Sequence, residues 1–431
     1  MSTLFQVIRL CIAVPVACGS IYLFVLLCAA WCNRRSRKLT PQTMGHHTAT
    51  IVVPAHNEED VIAATLQSLA RVKPPLCVVV LADNCTDSTA SIARNAGVSV
   101  IERVNPVERG KGFALGYAFR QLIDRPLDAP VLPGANADVY IVVDADTQVE
   151  PDFATHLMAY LPTDSAIPGA VQGRYGVLNG SDGWRAALMS AAFDLVNHVR
   201  LLGMDYMGAY IGLKGNGMAF TRGCLKQVPM TGRSVTEDLD YAMDLLEHGG
   251  LRVQYAPLAI VRAQMPVTQE QAQSQRQRWE GGRYRVLRSR VPKLLTAFAR
   301  TREPRFLGAA IDLAMPPLAE QATGCVALSL CALVSMLLSL PEWRIYAVIA
   351  LSSVLSVMLY VFLGVLLAGA KKETFKALMF APIYIVWKLG LYAAGIASPK
   401  QRESVDTGCA DAEWIRTSRV RIPTGDERSK L

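Results

Sequence analysis

Two aspartates one residue apart, Asp144 and Asp146, stand directly behind the apolar run Val139 to Val143. Like charges held that close are costly unless a cation or a donor compensates them. A divalent metal chelating a diphosphate would do so, because Mg²⁺ and Mn²⁺ take carboxylate and phosphate oxygens. Two more polar segments have the same setting, Pro54-Ala55-His56-Asn57-Glu58-Glu59 and Asp83-Asn84-Cys85-Thr86-Asp87, each closing a short β-rich run. Gly110-Lys111-Gly112 opens a helical stretch, where backbone N–H groups and one ammonium can meet phosphate. It misses the dinucleotide fingerprint by one residue and no Walker spacing occurs, which weakens a nicotinamide-linked oxidoreductase.

Each segment also has a plainer use. Asn57 would serve as an N-cap, and Thr86 or Asp87 could cap a helix over residues 88–95. Ser234-Val235-Thr236-Glu237 matches a capping box for the stretch running to His248. Gln271 to Arg290, rich in Gln and Arg, could be a solvated or membrane-hugging basic helix. The six histidines show no ligand spacing, so no zinc site is assigned and His56 reads as a loop residue.

The elements that must position these residues alternate. Strand-like runs at Thr50–Val53, Cys77–Ala82, Val98–Ile101 and Val139–Val143 are interleaved with helical patterns at Glu58–Ala70, Ser88–Asn95 and Gly112–Ile123. Continuous Val/Ile runs alternating with helices predict a parallel sheet covered on both faces. In such sheets ligands bind at the carboxyl ends of the strands, so three acidic loops are expected to converge on one edge.

The order of motifs resembles the membrane-bound family 2 glycosyltransferases, which include bacterial polysaccharide synthases such as the cellulose, chitin and hyaluronan synthases. The resemblance runs from about Thr50 to Tyr284. It is carried by the three loops, Gly110-Lys111-Gly112, Gly215-Asn216-Gly217, Thr236-Glu237-Asp238 and Gln275-Arg276-Gln277-Arg278-Trp279. It implies a GT-A fold, an α/β nucleotide-diphospho-sugar transferase domain with a mostly parallel sheet. It further implies a nucleotide sugar donor, with a UDP-sugar expected, Mg²⁺ or Mn²⁺, and inversion at the anomeric carbon. Carried over by motif, Ala55 and Glu58 would line the nucleoside pocket and Asp83 would hold the base. Lys111 would lie near the diphosphate, Asp144 near the ribose or metal, and Asp146 would bind the metal. Asn216 and Gly217 would border the acceptor channel, Asp238 would be the catalytic base, and Gln275, Arg278 and Trp279 would position pyrophosphate and acceptor. An inverting displacement asks for these residue types in its own right, since a carboxylate must take the acceptor proton and cations must neutralise the leaving diphosphate.

The rest of the chain speaks for a membrane. Of 431 residues 51% are hydrophobic, and the ten cysteines contain no CxxC pair, which argues against a disulfide framework. Leu10 to Trp31 carries no charge and as a helix would be about 33 Å long, enough to cross a bilayer. Arg34, Arg35, Arg37 and Lys38 follow it, so the residues beyond are expected in the cytoplasm. Ala322–Leu340 and Ile345–Ala370 read as a hairpin of two spans whose flanks are basic on the same side. The expected organisation is a membrane helix at 1–32, a basic linker at 33–47 and a cytosolic transferase domain at 48–300. An interfacial helix at 301–321, two spans at 322–370, an interfacial, re-entrant or fourth membrane segment at 371–397 and a polar basic tail at 398–431 complete it. The excess of 44 Lys and Arg over 36 Asp and Glu is concentrated beside the spans, which points to membrane lipids and away from nucleic acid.

The function expected is therefore that of an inverting, multi-pass cell-membrane glycosyltransferase feeding a growing polysaccharide. Single addition to a lipid-linked acceptor in exopolysaccharide assembly, with possible assembly partners, is the alternative, and a non-catalytic sugar-nucleotide-binding scaffold is a third reading.

Overall fold

The computed structural model describes residues 2–34, 47–123, 125–126, 130–232, 236–265 and 269–386, with backbone alone at 2–5 and 269–281. These fall into two compact units. One holds 47–182 and 210–293; the other holds 2–34, 183–209 and 294–386.

The first unit is built on a sheet. Its strands are β1 (Ala49–Ala55), β2 (Cys77–Asp83), β3 (Ser99–Arg103), β4 (Val139–Val142), β5 (Thr147–Val149), β6 (Ala170–Val177), β7 (Met218–Thr221) and β8 (Gln254–Ala263), in the order β3-β2-β1-β4-β7-β6-β8-β5. The first four are mutually parallel, as their Val/Ile runs predict, and β1 is buried along its whole length. β7 departs from that pattern. It runs antiparallel to both β4 and β6, with Val142 opposite Met218, so the loop entering β7 meets the end at which β4 finishes. The helices of this unit are α2 (Ile62–Leu69), α3 (Thr89–Asn95), α4 (Lys111–Ile123), α5 (Phe153–Met158), α8 (Arg222–Gln227) and α9 (Glu237–Glu247). The long helix α10 (Gln269–Thr301) begins in it. One core cluster joins Ile51, Val53, Val80, Ile141 and Val143 of the sheet to Ile62 and Leu66 of α2 and Phe153 and Leu157 of α5.

The second unit is helical: α1 (Ser2–Asn33), α6 (Trp184–Asp194), α7 (Arg200–Tyr206), α11 (Pro304–Ala314), α12 (Leu318–Leu337), α13 (Trp343–Leu367) and α14 (Lys372–Leu378), with a π-helical turn at Leu195–Val199. Three of these are long and apolar enough to cross a membrane, at Gln6–Asn33, Leu318–Leu337 and Trp343–Leu367. Small residues let them close up, as in membrane helix pairs generally. Gly19 faces the Gln321 side chain, whose Nε2 donates to the Val16 carbonyl at 2.8 Å and to Ser20 Oγ at 3.0 Å. The second segment of interest, 183–209, lies between β6 and β7 in sequence yet belongs here. Tyr360 donates to the Leu195 carbonyl at 2.9 Å, and Arg200 pairs with Asp312 at 2.5 Å while Tyr22 donates to the same carboxylate. The transferase domain expected at 48–300 is thus interrupted by a segment that packs with the apolar helices. The basic tail at 398–431, most of the linker at 33–47 and the end of the segment at 371–397 lie outside the described residues.

Candidate active site

Two glycines with left-handed backbone set the centre of the site. Gly215 has φ +78° and Gly217 φ +66°, conformations that side chains with a Cβ rarely adopt. Between them Asn216 turns inward and is fully buried. Its Oδ1 accepts from the Asp144 backbone N–H at 3.2 Å and its Nδ2 donates to Thr147 Oγ1 at 2.7 Å, while Thr147 Oγ1 donates to Asp146 Oδ1 at 3.2 Å. Gly217 N–H donates to the Val142 carbonyl at 3.0 Å. The Gly215–Gly217 loop therefore braces the Asp144–Asp146 turn from behind, and neither Asn216 nor Gly217 presents an open surface.

In front of that turn stands Lys111, the first residue of α4 behind Gly110, whose φ of +118° makes the sharp entry. Lys111 Nζ is 2.5 Å from Asp144 Oδ1, donates to the Gly215 carbonyl at 2.5 Å, and lies 3.9 Å from Glu237 Oε1. A Cβ built on Gly215 would come within 3.4 Å of Asp238 Oδ2 and 3.6 Å of Lys111 Nζ, so Asp238 shares the same small space. Lys111, Asp144, Gly215, Glu237 and Asp238 are thereby brought together from the start of α4, the end of β4, the loop before β7 and the start of α9.

The electrostatics follow from that crowding. Burial pushes the Glu237 carboxyl up to about 7; Lys111 opposes the shift and Asp238 adds to it. Burial likewise raises Asp238, against the pull of Lys111 and of Lys214. For Lys111 burial disfavours the ammonium, but Asp144 and Glu237 more than offset it and its pKa is raised.

The loops that follow β1 and β2 form a separate hydrogen-bonded lattice. Asp83, 1% exposed, has one carboxylate oxygen 2.6 Å from Arg103 and the other accepting from Asn84 Nδ2 at 3.1 Å. His56 Nδ1 is 2.7 Å from the Asp83 carbonyl. Asn57 is not an N-cap: it has φ +54°, and its Oδ1 accepts from the Thr86 N–H at 2.8 Å, tying the β1 and β2 loops. Glu58 N–H donates to Thr89 Oγ1 at 2.8 Å, and Ala55 closes β1 fully buried, its carbonyl facing Cys85 Sγ at 3.5 Å. Burial holds that thiol near 11, so it is no nucleophile.

The carboxylates offer hard oxygen donors of the kind a divalent ion takes. Among the described residues no group of three or more His, Cys, Asp or Glu side chains converges to form a complete cage. An ion held by one or two carboxylates and completed by phosphate oxygens is the usual arrangement for Mg²⁺. Asp146, 6% exposed, and Asp144 would be its protein ligands. The side chains of Gln275, Arg278 and Trp279 lie outside the described residues; their backbone belongs to α10. Arg103 and Lys214 were not singled out by motif. The signal for Arg103 is the charged pair Glu102-Arg103 that ends β3.

The profile of "Glycosyltransferase like family 2" matches residues 46–282, more than half of the chain. The chain belongs to glycosyltransferase family 2. Its sheet unit, a mixed, mostly parallel sheet with the acidic turn just beyond the end of β4, is a GT-A domain. A 4,4'-diaponeurosporenoate glycosyltransferase of Staphylococcus aureus is 31% identical over 122 residues, 28% of this chain and 30% of that protein's length. The match thus covers under a third of that relative. Among solved structures, a mannosyltransferase of Pyrobaculum calidifontis in complex with GDP-Man and Mn²⁺ is similar at TM-score 0.47 and 17% identity, covering 80% of this chain and 99% of that one. A glucosyl-3-phosphoglycerate synthase of Mycobacterium tuberculosis with Mn²⁺ and UDP gives TM-score 0.38 at 22% identity, covering 56% and 82%.

Proposed function

We propose that this family 2 member moves a sugar, with inversion, from a nucleoside-diphosphate sugar to an acceptor hydroxyl held at the membrane. The observation that carries the reading is the gathering of Asp144, Glu237 and Asp238 around the single ammonium of Lys111 at the carboxyl end of β4. In this reading Ala55, Glu58 and Asp83 hold the nucleoside, with Arg103 keeping the Asp83 carboxylate in place. Lys111 turns from Asp144 to the donor diphosphate. Asp144 and Asp146 hold Mg²⁺ or Mn²⁺, which supplies charge neutralisation to the leaving diphosphate when bound. Asp238 takes the acceptor proton as the acceptor oxygen bonds to the anomeric carbon. The bond from that carbon to the phosphate oxygen breaks with its electron pair leaving on the nucleoside diphosphate. Gln275, Arg278 and Trp279 are assigned to pyrophosphate and acceptor by motif.

The three apolar helices and the basic residues beside them, Arg34 and Lys371, Lys372 and Lys376, support a multi-pass protein of the cell membrane with the sheet unit cytoplasmic. Of the two acceptors expected from the sequence, a lipid receiving one sugar gains support from the relative named for 4,4'-diaponeurosporenoate. A growing polysaccharide remains the second reading, supported by the paired Thr-Glu-Asp and Gln-x-x-Arg-Trp motifs. Incubation of membranes with labelled UDP-glucose, UDP-N-acetylglucosamine and GDP-mannose, with and without Mg²⁺ or Mn²⁺, tests both. Single addition predicts one labelled species that partitions into organic solvent; a ladder of aqueous products would overturn it. Asp238→Asn releasing nucleoside diphosphate as fast as wild type would remove Asp238 from the base role.

A further inference from the structure

α9 carries Glu237 and Asp238 in its first turn, and its buried face, Tyr241, Ala242, Met243, Leu245 and Leu246, packs inward. Phe220 and Tyr241 meet edge-to-face at 5.5 Å, and Tyr241 donates to the Val228 carbonyl at 2.8 Å. Such packing, with the one hydrogen bond of Tyr241, holds the helix against the sheet. A more directional tie is present. Asp240, Asp244 and Glu247 fall at spacings of four and three residues, a single stripe along about 10 Å of helix. Three like charges in a stripe repel one another unless a cation gathers them.

The cation is Arg290 of α10. One guanidinium nitrogen lies 2.8 Å from Asp244 and 3.4 Å from Asp240, and the other lies 2.8 Å from Glu247. The side chain is only 16% exposed, so the fork is held in a partly dry place where charge-assisted bonds are strong. A second contact joins the same two helices at the other end: Gly282 is pressed against Thr236, the residue before α9, and a Cβ on Gly282 would overlap the threonine side chain. α10 therefore touches α9 at both ends, through a glycine beside the first turn and an arginine along the stripe.

Asp240 stands two residues after Asp238, about 200° further round the helix. The stripe gripped by Arg290 is thus on the opposite side from Asp238, and fixing one side fixes the direction of the other. We infer that Arg290 is a positioning residue for the transfer reaction: it locks the rotation of α9 so that Asp238 points at the acceptor, and it holds that helix in register with the one bearing Gln275, Arg278 and Trp279. The inference rests on the base role of Asp238 in the proposed function.

The experiment uses the full chain in detergent and measures nucleoside diphosphate release from whichever of UDP-glucose, UDP-N-acetylglucosamine or GDP-mannose turns over fastest. Arg290→Gln is expected to lower kcat by about ten- to a hundredfold, the scale of a small misplacement of a reacting group, with donor KM unchanged within about twofold. Arg290→Lys should restore part of the loss by keeping the charge without the fork. Adding Asp244→Asn to Arg290→Gln should cost little more, because the interaction is already gone. A merely structural role predicts instead that activity falls only with the folded fraction, that KM and kcat change together, or that Lys gives no rescue. Any of these, or a kcat for Arg290→Gln equal to wild type, overturns the inference. If Arg290→Gln does not fold, Asp244→Asn combined with Glu247→Gln leaves the guanidinium only its 3.4 Å contact to Asp240, and wild-type kcat in that double variant would overturn it equally. Asp238→Asn run alongside separates the two failures: activity there rejects the base role, whereas a dead Asp238→Asn beside an unimpaired Arg290→Gln rejects only the part given to Arg290.

Discussion

Lys111 Nζ sits 2.5 Å from Asp144 Oδ1, although the two residues come from the start of a helix and the end of a strand 33 positions further along. The ammonium occupies the position a cation beside the acidic turn would want, and it also faces Glu237 and the Gly215 carbonyl. In the proposed reading, a diphosphate entering the site would meet a preformed positive charge whose nearest carboxylate is Asp144.

Replacing Lys111 by Met should weaken UDP binding by about ten- to a hundredfold, the worth of a hydrogen bond to a charged group. Calorimetric titration of the purified protein with UDP in the presence of Mn²⁺ measures it. Unchanged affinity would place the diphosphate elsewhere.

Glu237 makes stability depend on pH with a definite sign. Its folded-state value, about 7, is above the ordinary 4.5. Below pH 4.5 both folded and unfolded chains hold the proton, and the group carries no penalty. Between 4.5 and 7 the unfolded chain loses its proton first, so this contribution to folding is progressively lost and is gone above 7. The gap in thermal midpoint between Glu237→Gln and wild type should therefore widen as pH rises across that window. A constant gap from pH 5 to 8 would show that the carboxyl titrates at its ordinary value.

Asp238 titrates above the usual aspartate range because it is buried. In the proposed base role it works ionised, so kcat/KM should climb with pH through that raised value and then level off. A kcat/KM already flat at low pH, where an ordinary aspartate is ionised, would contradict the burial-raised base.

Arg103→Met should destabilise the sheet unit by about 3–5 kcal/mol, since it strands the buried Asp83 carboxylate. Adding Asp83→Asn should recover much of that loss while leaving nucleotide binding impaired. Thermal midpoints of the two variants, with and without UDP, decide it; an Arg103→Met protein as stable as wild type would mean that the pair holds nothing together.

Gly217→Ala tests the brace behind the acidic turn. The added Cβ would sit at positive φ and 2.8 Å from Val261 Cγ2, in a fully buried place. A loss of about 1–3 kcal/mol is expected from the backbone strain alone. Metal-dependent UDP binding should weaken as well, because Asn216 would shift and release the Asp144 backbone N–H. Full Mn²⁺-dependent UDP binding in this variant would separate the brace from the site.

What could be read along the chain was what depends on neighbours in sequence. Apolar runs with period-two or continuous burial marked β1, β2, β3 and β4, and the polar residues closing them marked the working edge of a parallel sheet. Uncharged stretches of membrane length marked α1, α12 and α13 for the same reason. Partners distant in sequence were decided elsewhere. That Asn216 lies behind Asp144 depends on β7 running antiparallel beside β4, a matter of strand order that no local pattern encodes. That Asp83 is held by Arg103 depends on β2 and β3 ending side by side, and that Arg290 gathers Asp240, Asp244 and Glu247 depends on two helices packing. Residues 183–209 sit mid-sequence in the transferase domain, yet they pack against α1, α11, α13 and α14. Periodicity tells which face of an element must be covered; only closing the chain on itself determines which side chain does the covering.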